Sequence, residues 1–404
     1  MSYSNYPQPY PGSSYPSAQP AFPRRKRTPR RKITLGTGLA IIVLLGFVIY
    51  MVFNSLTAMI RLWGPNTAAF GSSYITYAGH TSDIFAAAWS PDNKYVASAG
   101  ADKTVQVWDA SNGHLIYTYK GHTAFVRALA WSPNGKYLAS GGQDKTVQVW
   151  SVEQGKIGQR LLTYTGNPWI VSSLAWSPDS QYIASGDEAS TTIEIQVWRA
   201  LSGELISTYK GHSGSINGLS WSSKGNLIAS ADEDGTVQIW NALTGKNTVR
   251  FQYGQEKGKT MIANAISWSP DNTLVASAGG DGNIRIWDVA AQKEVRNITI
   301  HHSYQDDYDK INAWDNNKSK GRVRISPDTN AVSWSHDGKR IVSGDNQGAV
   351  LIWDVNSGKL LMYSDGREAP RDRNINSITC LAWSQDDRSI LITNVSKVVI
   401  WKLP

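Results

Sequence analysis

The sequence predicts an all-β fold, a seven-bladed β-propeller, on three observations. One cassette recurs along the chain: AWSPDNKYVASAGADKTVQVWD at 88–109 returns as AWSPNGKYLASGGQDKTVQVWS at 130–151. Its two Trp recur seven times, the first at 89, 131, 176, 221, 268, 334 and 383 and the second at 108, 150, 198, 240, 287, 353 and 401. Finally, YITYAGH at 74–80, before the first cassette, matches LIYTYKGH and ELISTYKGH, the strand that the last cassette lacks. Self-similarity at a fixed period signals a repeat architecture, and four short strands per period signal a radial one.

Each cassette reads as strands joined by tight turns. An apolar run ending in Trp-Ser meets a Pro/Asp/Asn/Gly turn, then a run such as KYVASAG, a second turn, TVQVWD, and a Gly-containing turn into LIYTYKG. Runs apolar on both faces suit sheets packed between sheets. The chain ends at VVIWKLP, after the third strand of the seventh cassette, so the orphan strand at 74–80 would complete that blade and leave no open sheet edge at the seam.

The repeats resemble those of WD40-repeat proteins, over roughly residues 72–404, and the near-identity of neighbouring cassettes resembles the bacterial type. In that family a Gly-His pair, a Ser or Thr, an Asp and a third-strand Trp form a hydrogen-bonded set. The resemblance assigns this structural tetrad to His80, Ser98, Asp102 and Trp108 in blade one and to His122, Ser140, Asp144 and Trp150 in blade two. In blade four it assigns His212, Ser230, Asp234 and Trp240. A buried imidazole between a hydroxyl, a carboxylate and an indole satisfies several polar groups at once. These residue types imitate a catalytic Ser/His/Asp set, but repetition at identical spacing argues for scaffolding. Blade three has no Gly-His, blade five keeps Ser277 and Asp281 without the His, blade six has Gln347 at the Asp position, and blade seven lacks the set. Those blades are expected to be less rigid.

Outside the repeats, residues 1–32 read as a disordered Pro/Tyr-rich tail with a basic cluster, too poor in aliphatic residues to offset ordering entropy. The uncharged stretch 33–53 would span about 31 Å as a helix, the thickness of a bilayer core, and exceeds a signal-peptide core. The seven Lys/Arg of RRKRTPRRK beside it predict a single-pass anchor with the N-terminus cytoplasmic, a linker over 54–71, and an extracytoplasmic propeller at 72–404. Cys380, the only cysteine, excludes a disulfide framework and paired-cysteine zinc sites. The net charge of +8 sits entirely in the first 70 residues, and the remainder carries 32 basic and 32 acidic side chains. A neutral body has no field to gather phosphate backbones, so no nucleic-acid partner is expected.

Turn lengths within blades are nearly constant. The variation lies in the blade-to-blade crossovers and in the second-to-third-strand turn of blade three, connections that share the face called the top. Three long crossovers form an arc over blades four to seven. Their candidate partner-binding residues are Tyr253, Lys257, His302, Tyr304, Tyr308, Trp314, Arg367, Arg371 and Arg373, since specialisation resides in loops and exposed aromatics anchor partners. The His/Asp content of the loop at 301–328 fits no zinc or Ca²⁺ spacing, so no metal is assigned. GQEKGKT at 254–260 lacks one residue of a phosphate-binding loop and lies in a β crossover. No catalytic residue and no cofactor is assigned. The expected span supplies a membrane tether, and the resemblance, the neutral body and the lack of a catalytic constellation imply a non-catalytic scaffold that binds proteins or peptides through the top face. The alternatives are a propeller hydrolase or oxidoreductase and a surface sensor or glycan-binding module.

Overall fold

The computed structural model describes residues 74–403, apart from 190–191, 254, 257–258, 300–327 and 365–376. Within them the chain forms seven four-stranded antiparallel sheets, each in sequence order from first to fourth strand. Blade one comprises Ile84–Trp89, Tyr95–Gly100, Val105–Asp109 and Leu115–Tyr119. Five further blades repeat this plan, and the seventh, Ile378–Trp383, Ser389–Asn394 and Val398–Lys402, takes Tyr74–Tyr77 as its outer strand. The closing register pairs Tyr74 with Trp401 and Tyr77 with Val398. First strands touch those of the neighbouring blades in an unbroken cycle, so they line the centre. The seven-bladed all-β propeller is therefore the fold.

The core lies between blades. Seven apolar clusters among the described residues each join two neighbours; the one at the seam combines Tyr77, Leu391, Val398 and Ile400 with Ile84, Val96 and Trp108. Close approach demands small residues on the second strand: a Cβ on Gly141 would lie 2.6 Å from Val171 of the next blade. The two Trp of a cassette divide the work. The second is buried in the sheet interface; the first, in the odd-numbered blades, sends its indole N–H back to the preceding blade, Trp176 to the Ala130 carbonyl (3.0 Å), Trp268 to Ser220 (3.0 Å), Trp383 to Ser333 (3.2 Å) and Trp89 across the seam to Ala382 (3.3 Å), whereas Trp221 donates to Gly225 of its own turn (3.1 Å).

The turns between first and second strands form the bottom face and alternate in kind. All seven place one residue in the left-handed region: Asn93, Gly135, Ser180, Gly225, Asn272, Gly338 and Asp387. Even-numbered blades carry Gly there, which lies against a Pro of the preceding blade; a Cβ on Gly225 would meet Pro178 at 3.3 Å. Odd-numbered blades carry a polar side chain that accepts from the preceding blade's backbone. Ser180 takes the Asn134 N–H (3.1 Å), Asn272 that of Lys224 (3.3 Å), Asp387 those of His336 and Asp337 (both 2.8 Å), and Asn93 that of Gln385 (2.8 Å).

The expected tail at 1–32, span at 33–53 and linker at 54–71 lie outside the described residues. The expected membrane placement is corrected: among the described residues no helix is long and apolar enough to cross a membrane. Their apolar surface is instead buried between blades.

Candidate functional site

The blade cores and the top rim hold the polar groups that could do chemistry. In blade one His80 Nδ1 lies 2.8 Å from Asp102 and Nε2 lies 2.8 Å from Ser98 Oγ; in blade two His122 repeats both distances with Asp144 and Ser140. With Nδ1–H donated to the carboxylate, Nε2 accepts the serine hydroxyl. The Ser140 oxygen in turn accepts the Trp150 indole N–H at 3.4 Å, whereas the Trp108 indole nitrogen is buried without a hydrogen-bond partner among the described residues. Burial alone would raise the Asp144 pKa, but hydrogen bonds from His122, Thr123 and Thr146 and the electrostatic pull of the imidazole N–H draw it down to about 2. The imidazoles of His80 and His122 have no accessible side-chain surface, so a substrate cannot reach a serine behind them.

Blade four departs from the expected set. His212 lies 2.6 Å from Ser230 Oγ, and Trp240 donates to the same oxygen at 3.2 Å, but its carboxylate partner is Asp232, at 2.8 Å, not Asp234. Asp232 stands two residues after the serine, where blades one and two have Gly100 and Gly142, so it reaches the imidazole from within the second strand. Asp234 is left to accept the Ser213 hydroxyl.

The blades without a histidine are rebuilt rather than left open. In blade three Asn167 stands for the imidazole, donating to Asp187 at 2.6 Å and accepting from Ser185 at 3.0 Å, while Trp198 donates to Ser185 at 3.2 Å. Asp187 is fully buried and its second oxygen has no hydrogen bond among the described residues. Burial raises its pKa, the Asn167 amide offsets this only in part, and the Glu194 carboxylate adds to it, giving about 7. In blade five Tyr253 donates to Ser277 Oγ at 3.0 Å, beneath the Arg285 guanidinium 4.3 Å from its ring, and Arg285 pairs with Asp281 at 2.6 Å. Tyr253 is thus corrected from an exposed contact to a core residue, 1% exposed, with its phenol pKa pushed up by burial. Tyr253→Phe is expected to cost about 1 kcal/mol, the loss of one buried hydrogen bond, read as a lowered urea midpoint at unchanged slope.

A second polar network escaped the sequence reading although its signal is present. A Gln two residues before the third-strand Trp accepts the hydroxyl of a Tyr from the preceding blade's outer strand: Tyr119 to Gln148 (2.7 Å) and Tyr164 to Gln196 (2.8 Å), with the same bond from Tyr77 to Gln106 and from Tyr209 to Gln238. Each ring stacks on that blade's Trp, with Tyr119 and Trp150 centroids 4.6 Å apart and Tyr164 and Trp198 4.2 Å apart. The VQVW, IQVW or VQIW string, with a TY pair ending each preceding fourth strand, marks this arrangement.

At the top opening, the residue four before the first Trp latches five blades to the next by a hydrogen bond from Ser, Asn or Thr. Ser172 donates to the Ile216 carbonyl (2.6 Å), Asn217 to Ala263 (3.1 Å), Asn264 to Thr329 (3.2 Å), Asn330 to the Ser377 hydroxyl (3.0 Å) and Thr379 to Ile84 (3.4 Å). Blades one and two carry Phe85 and Arg127 there instead. The Phe85 and Phe125 rings lie 6.2 Å apart, and the Arg127 guanidinium sits 5.5 Å from the Phe85 ring and 2.9 Å from Glu188 of blade three.

Of the other expected contacts, Lys257, His302, Tyr304, Tyr308, Trp314, Arg367, Arg371 and Arg373 lie outside the described residues. Gln255–Glu256 and Lys259–Thr260 pair as a short antiparallel ribbon in the crossover that was weighed as a phosphate loop.

The geometry defines a repeat propeller whose polar residues hold its blades together, and the chain carries WD40 repeats. The model of the WD domain, G-beta repeat, matches residues 71–109, 113–151, 158–195 and 203–241, and that of the nucleolar protein 10-like N-terminal domain matches 250–403. Among curated proteins the chain is similar to the protein HIRA of Zea mays, 35% identical over 63 residues, and to that of Dictyostelium discoideum, 33% identical over 70 residues. These stretches cover 13% and 15% of this chain, and each spans 6% of the relative's own length. Neither these relatives nor the described residues support the bacterial type or the membrane anchor, and the assignment of an extracytoplasmic propeller is overturned.

Proposed function

We propose that this chain is a non-catalytic interaction scaffold that binds proteins or peptides through the top face of the propeller. The observation that carries the reading is the use made of its potentially reactive groups. Ser, His and Asp are repeated from blade to blade and sealed behind inaccessible imidazoles, which serves rigidity and not turnover. A rigid ring leaves recognition to its loops, and the proposed contacts Lys257, Tyr304, Tyr308, Trp314 and Arg371 fall in the longest connections of the sequence. The likeness to WD-repeat proteins supports the same reading. Cross-linking of the full chain to its captured partners tests the face. Links are expected at Lys103, Lys145 and Lys210, at the top ends of strands, and not at Lys94, Lys136, Lys224 or Lys339 in the bottom turns. Links confined to the bottom turns would refute it.

A further inference from the structure

We infer that the propeller has a second interaction surface on its outer wall, where blades two to four take an acidic amphipathic helix of a partner protein. This surface is separate from the top face proposed above, and neither depends on the other. Leu201 and Leu205 are 51% exposed, Leu243 is 49% and Leu161 is 39%. Leu161 and Leu205 lie on the outer strands Arg160–Tyr164 and Leu205–Tyr209 of blades two and three. Leu201 and Leu243 stand in the turns between third and fourth strands of blades three and four. At their place in that turn the other blades carry Ser111, Glu153, Ala290 and Asn356. A leucine half in water on a tight turn contributes little to the core, and two in successive blades mark a surface kept for contact.

The turns lean on the wall of the preceding blade, which joins the four leucines into one band. In the turn that holds Leu201, a Cβ on Gly203 would lie 3.6 Å from Leu162 of blade two. Beside Leu243, the Ala242 carbonyl accepts the Ser207 hydroxyl of blade three at 2.6 Å. A strand added to one outer edge would follow a single blade, whereas the band crosses from blade to blade. A helix laid across the turns covers it, with apolar side chains on one face.

Charge sets the character of that helix. The outer strands and leading turns of blades two to four carry Lys156, Arg160, Arg199, Lys210, Lys246 and Arg250 against Glu153 and Glu204. Both carboxylates are already held, Glu204 by Arg199 at 2.8 Å and Glu153 by Lys136 at 3.7 Å, as Glu194 of the third strand is by Lys210 at 2.6 Å. Lys156, Arg160, Lys246 and Arg250 have no carboxylate partner among the described residues, and the bottom turns alongside add Lys136 and Lys224 against Asp179. The same elements of blades five and six balance, with Lys293, Arg296 and Lys359 against Asp288, Glu294 and Asp354. Leucines among surplus cations complement an apolar stripe flanked by carboxylates. A nucleic-acid strand would meet the cations and leave the leucines uncovered.

Fluorescence anisotropy of the full chain tests this with a labelled peptide of about 18 residues, Leu recurring at the helical period and Glu or Ala elsewhere. The controls are the same residues reordered so that the leucines share no face, the peptide with Lys for Glu, and a single-stranded oligonucleotide. The amphipathic Glu peptide is expected to bind, more weakly as salt rises. Leu201→Ser, Leu243→Ser and Lys246→Glu should each weaken it about fivefold or more with unchanged thermal unfolding. Val295→Ser, comparably exposed on the outer strand of blade five, should leave binding unchanged. Binding that survives all three wall variants, or that falls with Val295→Ser alone, overturns the surface. Absence of binding, equal binding of the reordered or Lys peptide, or preference for the oligonucleotide overturns the partner chemistry. The top-face reading is decided separately, by the cross-links.

Discussion

Removing Tyr74–Tyr77 is expected to open the ring and lower the melting temperature by roughly 5–15 °C. The four residues are the outer strand of the seventh blade, joined to its last strand from Tyr74↔Trp401 to Tyr77↔Val398. Tyr77 contributes more than its pairing. Its ring stacks on Trp108 of blade one at 5.0 Å, and its hydroxyl donates to Gln106, so it bridges the point where the two ends of the repeat meet. Loss of that buried aromatic alone should cost about 3–5 kcal/mol. Tyr77→Phe, which keeps the stack and drops the hydroxyl, should cost only about 1–2 kcal/mol. Calorimetry of wild type, Tyr77→Phe and the truncated chain gives the series, and equal melting temperatures for all three would mean that the ring does not depend on this strand.

Replacing Asp187 by Asn should remove a fall in stability between about pH 4 and 7. The carboxyl is fully buried, accepts from the Asn167 amide, and has its pKa pushed up to about 7 by burial, with the Glu194 carboxylate adding to the rise. The native state therefore holds a proton that the unfolded chain has released, so stability falls as pH rises from about 4 to about 7 and is flat above. Asp144 has the opposite sign: its pKa of about 2 stabilises the fold above about pH 4, and that contribution is lost as pH falls toward 2. Asp187→Asn should flatten the profile between pH 4 and 7 and raise stability at pH 8 by about 1–3 kcal/mol, within a linkage ceiling of about 4. Urea melts across pH 4–8 read it directly, and a variant profile parallel to that of wild type would show that Asp187 is ionised throughout.

The blade count, the strand order and the closing strand were legible because repetition multiplies a weak local signal and because the orphan strand kept its cassette's spelling. The blade-four carboxylate was not. ADEDG offers an Asp two and four residues after Ser230, and spacing carried over from blades one and two selects the wrong one. The choice turns on which oxygen reaches an imidazole fixed by neighbouring strands, a property of three dimensions. Tyr253 misled for a similar reason: an aromatic in a long crossover reads as exposed, and only the empty histidine place beneath it makes it a core residue. The substitutes Asn167 and Arg285 follow from the same gap, since a vacated polar site between packed sheets must be refilled. Phe85 and Arg127 could have been seen by aligning the second residue of each first strand, where Asn217, Asn264 and Asn330 set the rule that they break.

The bottom turns switch between two kinds of junction from one blade to the next, and seven is an odd number. A pattern that repeats every second unit cannot tile such a circle without one fault, and the fault falls where Asn93 of blade one meets Gln385 of blade seven, both polar-type turns. Strand closure and broken parity thus coincide at a single interface. Units could be gained or lost two at a time without disturbing the order elsewhere. A single unit added or deleted at the seam can heal the fault, whereas one added or deleted elsewhere would place a second mismatch in the circle, so neighbouring blades are halves of a pair and not interchangeable parts.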